Sequence, residues 1–293
     1  MKNVVILGYA SLDHVIALDG PAVPGQTTRI TERRTKAWNR MGGAPWFIAR
    51  ILEQAGGCQT VPVTWIGDDR SGEHYLSAMK EIGASTAAIR VIPGERTPVT
   101  LMIYEPSGEA ICLYDPLPAT GDTRPSLEAL HLGLIAQADW LVLTIAPADA
   151  TLAALENCRN DAKVAWVAKK DAHALPPHLL ERIVQRADII FCSETEGSTI
   201  RDALARAQAK PDLILVETYG RRGSSLEIRG ERTLLQPPAT LPVLDPCGAG
   251  DTLAAGTLSC LIRDAGSPET ALRRGMQDAY HLLSQRQNSE EKE

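Results

Sequence analysis

The hydrophobic positions of the chain fall into two kinds of run. Short continuous stretches rich in β-branched residues, at 3–8 (NVVILG), 61–66 (VPVTWI), 140–145 (WLVLTI), 163–168, 188–192 and 212–217, have the pattern of strands buried on both faces. Between and after them, apolar residues recur at helical spacing over 44–55, 71–82, 126–137, 148–158, 176–186, 197–208, 250–264 and 269–285. Gly56 and Gly57 stop the first helix, Ser71 reads as the N-cap of the second with Glu73 in its first turn, and Pro176-Pro177 opens the fifth. From about residue 120 to 217 strands and helices alternate strictly, which predicts βαβ units and a parallel sheet with helices on both faces.

The segments near 15–40 and 97–115 break this rhythm. Residues 26–38 are polar and Thr-rich and suit an exposed strand or two, while 97–104 and 109–114 flank Glu105-Pro106-Ser107-Gly108, a hairpin signal. They predict a small separate β layer over the C-terminal edge of the sheet. Asp13 and His14 fall where the first strand hands over to a loop, and strand-like pieces resume near 225–235. The charged tail NSEEKE is expected to fray.

Composition narrows the class. At 293 residues the chain buries enough surface to need no disulfide or structural metal for its core. Acidic residues outnumber basic ones by 36 to 30, a net charge of −6, which gives no reason to expect a nucleic-acid or membrane partner. The six cysteines (58, 112, 158, 192, 247 and 260) form no C-x-x-C pair and stand at no zinc spacing from a histidine, so they read as buried small hydrophobes of a reducing compartment. The N-terminal apolar run stops at Gly8, too short for a signal-peptide core, and no apolar stretch reaches the length of a membrane span. A soluble, cytoplasmic protein is expected.

The strongest chemical signal is Asp245-Pro246-Cys247-Gly248-Ala249-Gly250-Asp251-Thr252, followed by the apolar LAAGTLSCLI. Small residues leading into a helix expose unpaired backbone N–H groups at its positive end, an anion site. Asp251 then stands out, because a carboxylate repels a phosphate in such a cradle. Two readings remain open: Asp251 takes a proton from an attacking hydroxyl, or it caps the helix. No G-K-[ST] closes the glycine run and no G-x-G-x-x-G follows the first strand, which argues against a P-loop and a dinucleotide fold.

This segment resembles the D-T-x-G-A-G-D signature of the ribokinase/PfkB carbohydrate kinase family, with Pro246 in place of the threonine. Gly8 and Asp13 after the first strand agree, as does Gly42-Gly43-Ala44 with Ala49, similar to the family's G-G-x-x-x-N-x-A; Phe47 or Ile48 stands near its asparagine. Gly67-Asp68-Asp69-x-x-Gly72 is similar to G-x-D-x-x-G, and the likeness spans residues 3 to about 285 in the expected order.

The resemblance implies a ribokinase-like three-layer α/β sandwich with a mostly parallel central sheet. Residues 1–287 form one domain, lid segments 14–40 and 96–116 are inserted in it, and 288–293 form a flexible tail. It implies ATP-dependent phosphoryl transfer to a hydroxymethyl group of a sugar or ribonucleoside, with the lid closing over the substrate and making a homodimer contact. Asp251 becomes the base, and Gly248, Ala249 and Gly250 the anion hole. Asp13, Gly42, Gly43, Trp46 and Thr97 become substrate-binding residues; Asp13 reads otherwise as a solvated turn aspartate, and Trp46, like Trp65, as core or pocket wall.

Thr218, Gly220 and Gly223, similar to the family's T-x-G-x-x-G loop, fall to the nucleotide, together with Asp278 and the segment near His281 beside the adenine. Arg221 and Arg222 read equally as phosphate ligands or solvent-facing charges. Glu196 matches the glutamate of N-x-x-E and is expected to hold Mg²⁺ through water, with Ser193 at the asparagine and an additional Glu194; its other reading is a first-turn glutamate favoured by the helix dipole. Asp245 and the backbone after it resemble a site where some members bind a monovalent cation, here K⁺. Trp38, Trp46 and Tyr104 are candidates to stack on a base, and Arg29, Arg33, Arg34 or Arg96 to clamp a sugar acid; Lys169-Lys170-Asp171 reads as a solvated turn. Two alternatives accompany this reading: a non-catalytic sugar- or nucleotide-sensing protein, and a pyrimidine- or pyridoxal-type kinase.

Overall fold

A computed structural model describes residues 1–33, 40–108, 110–118, 120–171, 173–239, 241 and 245–290, with side chains through residue 287. The apolar runs become the strands of one large sheet. These are β1 (Lys2–Leu7), β5 (Cys58–Gly67), β6 (Ile89–Ile92), β9 (Trp140–Leu143), β10 (Lys163–Val167), β11 (Ile189–Ser193), β12 (Ile214–Thr218), β13 (Ser224–Ile228) and β14 (Glu231–Leu235). They lie in the order β14-β13-β12-β11-β10-β9-β1-β5-β6, parallel throughout except for the antiparallel pairs at the β12-β13-β14 edge.

Alternation along β1 explains why its sequence is apolar at nearly every position. Val5 and Leu7 enter one core with Ile135, Ala154, Ile183 and Ile200, whereas Val4 and Ile6 enter the other with Ile48, Tyr75, Leu258 and Leu272. The first face carries α3 (Ala129–Ala136), α4 (Ala148–Asn157), α5 (Pro177–Arg186) and α6 (Glu194–Arg206). The second carries α1 (Ala44–Ala55), α2 (Arg70–Glu81), α7 (Ala249–Ile262) and α8 (Pro268–Glu290). Helices α7 and α8 meet through facing glycines: a Cβ on Gly275 would stand 2.2 Å from the Leu253 carbonyl oxygen, and one on Gly256 2.4 Å from Asp278 Oδ2.

The second sheet is small. It contains β2 (Ser11–Leu18), β3 (Ile30–Arg33), β4 (Arg40–Gly42), β7 (Val99–Tyr104) and β8 (Ala110–Asp115), ordered β3-β2-β7-β8 with β4 also paired to β2. The β7-β8 hairpin forms as its turn signal predicts, and β2 runs parallel to β7, with Asp13 opposite Thr100.

Several expectations need correction. Asp13 and His14 lie inside β2 rather than in a loop, because the strand's pairing partners come from β4 and β7 and not from neighbouring sequence. Strand β6, a four-residue piece at the sheet edge, was not anticipated. The N-cap of α2 is Asp69, which accepts from the Gly72 N–H, and not Ser71. Helix α8 continues through Glu290, three residues into the tail expected to fray. Trp38 and Arg34 lie outside the described residues.

Candidate active site

The C-terminal ends of the parallel strands face the small sheet across a cleft of about 920 Å³. Its walls include Ala17 and Tyr104 from the small sheet, Ser193 and Thr218 from the ends of β11 and β12, and Ala249 and Gly250 from the start of α7. Its size is that of a small-molecule site.

The start of α7 is built by sterics. Gly248 is the N-cap in the left-handed region (φ 76°), and a Cβ there would lie 2.4 Å from Phe47 Cζ, so both backbone and neighbour demand glycine. Gly250 has open space where a Cβ would be. Of the three anion-hole residues expected, Ala249 gives its N–H to the Pro246 carbonyl at 3.0 Å. The Gly248, Gly250 and Asp251 N–H groups donate no hydrogen bond among the described residues, and they form the open end of the helix.

Asp251 does not cap. No side-chain cap bond exists at α7, and its carboxylate accepts no hydrogen bond among the described residues. Desolvation raises its pKa above the usual carboxylate range, the nearby Asp13 charge adds to the rise, and Lys169 opposes it. Lys169, in the loop after β10, has a raised pKa of its own. Desolvation works to lower it, but the charges of Asp251 and Asp13 oppose that. Lys169 is exposed, in keeping with the solvated-turn reading, and the same turn brings its ammonium within charge range of Asp251 from just past the end of a parallel strand.

Asp13 is buried at 3% exposure, so the solvated-turn alternative is corrected too. Ser11 Oγ donates to its Oδ1 at 2.9 Å and Cys247 Sγ to its Oδ2 at 3.3 Å. Burial and Asp13 push the Cys247 thiol up to about 12, which keeps the donor protonated. A Cβ on Gly42 would sit 2.0 Å from Asp13 Oδ1, and one on Gly43 (φ 79°) 2.6 Å from the Tyr9 carbonyl oxygen. The glycine pair therefore makes room for Asp13 and Tyr9. Trp46 is half-buried and packs against the core under α1.

Thr97 is not free for a ligand. It is buried, its hydroxyl donates to Asp69 Oδ1 at 2.6 Å and accepts from the Gly67 N–H at 3.1 Å, and its own N–H goes to Asp69 Oδ2 at 3.0 Å. Its substrate role is corrected to a structural one. Tyr104 spends its hydroxyl on Asp245 and is buried, while Tyr9 instead groups with Tyr114 and Trp65 at centroid distances of 5.6 and 6.4 Å.

The family model of the pfkB family carbohydrate kinases matches residues 1–288. The chain belongs to the pfkB family. Curated relatives include the bifunctional ribokinase/ribose-5-phosphate isomerase A of Fructilactobacillus sanfranciscensis, 23% identical over 97% of this chain, which spans about half (52%) of that longer protein. The nucleoside kinase of Methanothermobacter thermautotrophicus is 24% identical over 90% of this chain and 84% of its own length. The ribokinase of Cryptococcus neoformans var. grubii, solved in complex with ADP, superposes with a TM-score of 0.76 at 20% identity, covering 94% of this chain and 92% of that one. The fold of this pfkB-family chain is thus the ribokinase fold, with a large mostly parallel sheet and a smaller separate one.

Of the residues expected at the nucleotide, Thr218, Gly220 and Gly223 line the cleft of this pfkB-family chain. A Cβ on Gly223 (φ 93°) would meet the Leu235 carbonyl oxygen at 2.1 Å. Asp278 does not line it: the carboxylate pairs with Arg274 at 3.0 Å and faces Gly256 between α7 and α8, and Met276, Ala279 and Tyr280 border the cleft instead. Its nucleotide role is corrected on that ground. Arg221 lines the cleft, whereas Arg222 pairs with Glu194 and stacks on Tyr219.

Glu196 closes a capping box at α6, where its Oε2 accepts from Ser193 N–H at 2.8 Å and Ser193 Oγ at 2.5 Å. Its Oε1 stays uncommitted among the described residues, which suits a carboxylate that holds Mg²⁺ through water beside nucleotide phosphates. No cluster of three or more metal-ligating residues occurs among the described residues. The Asp245 site fits a metal ion less well. Its carboxylate accepts from Arg40 Nη1 (2.5 Å), Tyr104 Oη (3.0 Å) and Cys247 N–H (3.1 Å), and Arg286 Nη1 is bound to its carbonyl oxygen (3.0 Å). The K⁺ expectation does not fit these residues. Arg40 and Arg286 escaped the sequence reading because nothing local marks an arginine whose partner is 205 or 41 residues away.

Proposed function

We propose that this kinase transfers the γ-phosphoryl group of ATP to a hydroxymethyl group of a sugar or ribonucleoside, with Asp251 as the general base. The observation that carries the reading is the Asp251 carboxylate, which accepts no hydrogen bond among the described residues beside the open N–H groups of Gly248 and Gly250. A helix start built for anion binding has no structural use for an unsatisfied carboxylate, whereas proton abstraction requires one.

In this mechanism Asp13 accepts hydrogen bonds from acceptor hydroxyls and orients the substrate. Asp251 removes the proton of the reacting hydroxyl as its oxygen bonds to the γ-phosphorus and the bond to the β–γ bridging oxygen breaks. Charge on the transferred group is met by the Gly248 and Gly250 N–H groups and by the Lys169 ammonium, which also offsets part of the desolvation that disfavours ionised Asp251. Glu196, with Ser193 beside it, would hold Mg²⁺ through water, and the ion would supply charge neutralisation to the phosphates. We also assign a homodimer contact to the small sheet, where Leu113 and Ile30 are 53% and 47% exposed, and a reducing cytoplasm to a chain whose six cysteines are all free.

The test is a coupled ADP-release assay with Mg-ATP against pentoses, hexoses, keto-sugar acids and nucleosides. One acceptor turned over at about 1 s⁻¹ or faster, and lost in Asp251→Asn, is the expected result. Tight ATP binding with no turnover of any acceptor would favour a sensing protein instead.

A further inference from the structure

The loop that delivers the open amides of α7 is held from behind by a guanidinium. Arg286 of α8 donates from Nη1 to the Cys247 carbonyl at 2.6 Å and to the Asp245 carbonyl at 3.0 Å, and Asp245 Oδ2 lies 3.5 Å from the same nitrogen. Three oxygens of one short loop thus converge on a single positive group. The site is enclosed: the Asp245 side chain is 2% exposed, Arg40 15% and Arg286 18%.

A carboxylate and two carbonyls aimed at one point form the donor set of an oxygen-loving cation. Left without a positive partner, buried carbonyls converging in this way would repel one another and forfeit their hydrogen bonds. Here the charge is covalently part of the chain. Pro246 contributes no N–H with which the loop could satisfy these oxygens itself.

The arrangement bears on catalysis through peptide geometry. In a planar trans peptide the C=O and the following N–H point in opposite directions, so fastening the Cys247 carbonyl to Arg286 turns the Gly248 N–H the other way. That N–H begins the open end of α7. Arg286 therefore acts as a positioning residue, one step removed from the reacting atoms.

We infer that Arg286 is a built-in cation, occupying with its guanidinium the place of a monovalent ion and freeing this kinase from K⁺ activation. The catalytic half of the inference rests on the kinase reading above; the structural half does not. Arg40 supports the site from the other side by pairing with Asp245 Oδ2 at 2.5 Å, which leaves Arg286 as the group that holds the two carbonyls.

The experiment has two readouts, both at constant ionic strength in potassium or tetramethylammonium chloride. Thermal unfolding of the unmodified protein is expected to give the same Tm in either salt. Arg286→Ala should lose stability in tetramethylammonium and regain it in K⁺, and Arg286→Lys, which keeps the charge without the planar fork, should fall between. In the ADP-release assay the unmodified enzyme should run equally fast in both salts, while Arg286→Ala drops about tenfold and recovers with K⁺. A K⁺-dependent Tm or rate in the unmodified protein overturns the inference. So does an Arg286→Ala variant whose Tm and kcat ignore K⁺. Where no acceptor is phosphorylated the kinase reading fails by itself, and the unfolding arm still decides the cation's replacement; should Arg286→Ala not fold, the unmodified protein and Arg286→Lys carry the same decision.

Discussion

Asp69 and Asp251 stand in glycine-rich motifs at the starts of two helices, and the structure treats them in opposite ways. Asp69 is saturated: Gly72 N–H and Thr97 Oγ1 bind its Oδ1 at 2.8 and 2.6 Å, and Thr97 N–H binds its Oδ2 at 3.0 Å. Burial alone would raise its pKa, but the hydrogen bonds from Thr97 and Gly72 hold it below the ordinary value. Asp251 accepts nothing among the described residues, and its pKa is raised by desolvation. A carboxylate committed to three donors holds a fold together. One left without donors, next to open amides, is available for a proton.

The sharpest way to break this contrast is to neutralise each carboxylate. Asp251→Asn should lower kcat by about 10²- to 10⁴-fold in the ADP-release assay, without lowering the urea midpoint. A comparable loss of stability would make Asp251 a second structural aspartate. Acidity should separate the two as well. A proposed base must be ionised to act, so kcat should fall with decreasing pH at values above the usual carboxylate range, and Lys169→Met should move that limb upward and cost about tenfold in kcat. Because its folded pKa is raised, ionising Asp251 costs stability as pH rises from the unfolded towards the folded value. For Asp69 the sign is reversed: its contribution is present above the unfolded pKa and is lost as pH falls through the lowered folded one.

Smaller effects sharpen the structural half. Asp69→Ala should cost about 1–2 kcal/mol in urea unfolding, as loss of a helix cap does, with kcat changed less than about twofold. Thr97→Val should cost about 1 kcal/mol and leave the acceptor KM unchanged, whereas a substrate-binding Thr97 would raise it. Asp278→Asn should have the least effect, with KM for ATP unmoved, because its carboxylate lies between α7 and α8 beside Arg274.

The two motifs were equally visible as strings of residues, yet their roles were not equally legible. Glycine spacing located both turns, since Gly67 and Gly72 are each forced by a backbone oxygen 2.2 Å from a would-be Cβ, and Gly248 by Phe47. What the spacing could not carry was the company each aspartate keeps. Thr97, 28 residues from Asp69, reads as a ligand contact in the sequence because its partner is invisible locally. Asp278 reads as an adenine neighbour for a related reason: helical phase decides whether a residue faces the cleft or the neighbouring helix, and here it is the neighbours Ala279 and Tyr280 that border the cleft.

Local chemistry was enough to establish the alternating parallel sheet, the bounds of α1 between Gly43 and Gly56, the β7-β8 hairpin and the glycine-built start of α7, because each rests on periodicity or on backbone freedom within a few residues. Tertiary structure alone decided that Asp13 lies in a strand opposite Arg40, that Lys169 comes within charge range of Asp251, and that Arg286 grips the Asp245 and Cys247 carbonyls. Electrostatic and hydrogen-bond partnership depends on distance in space, and the packing of two sheets with their helices sets that distance independently of separation along the chain.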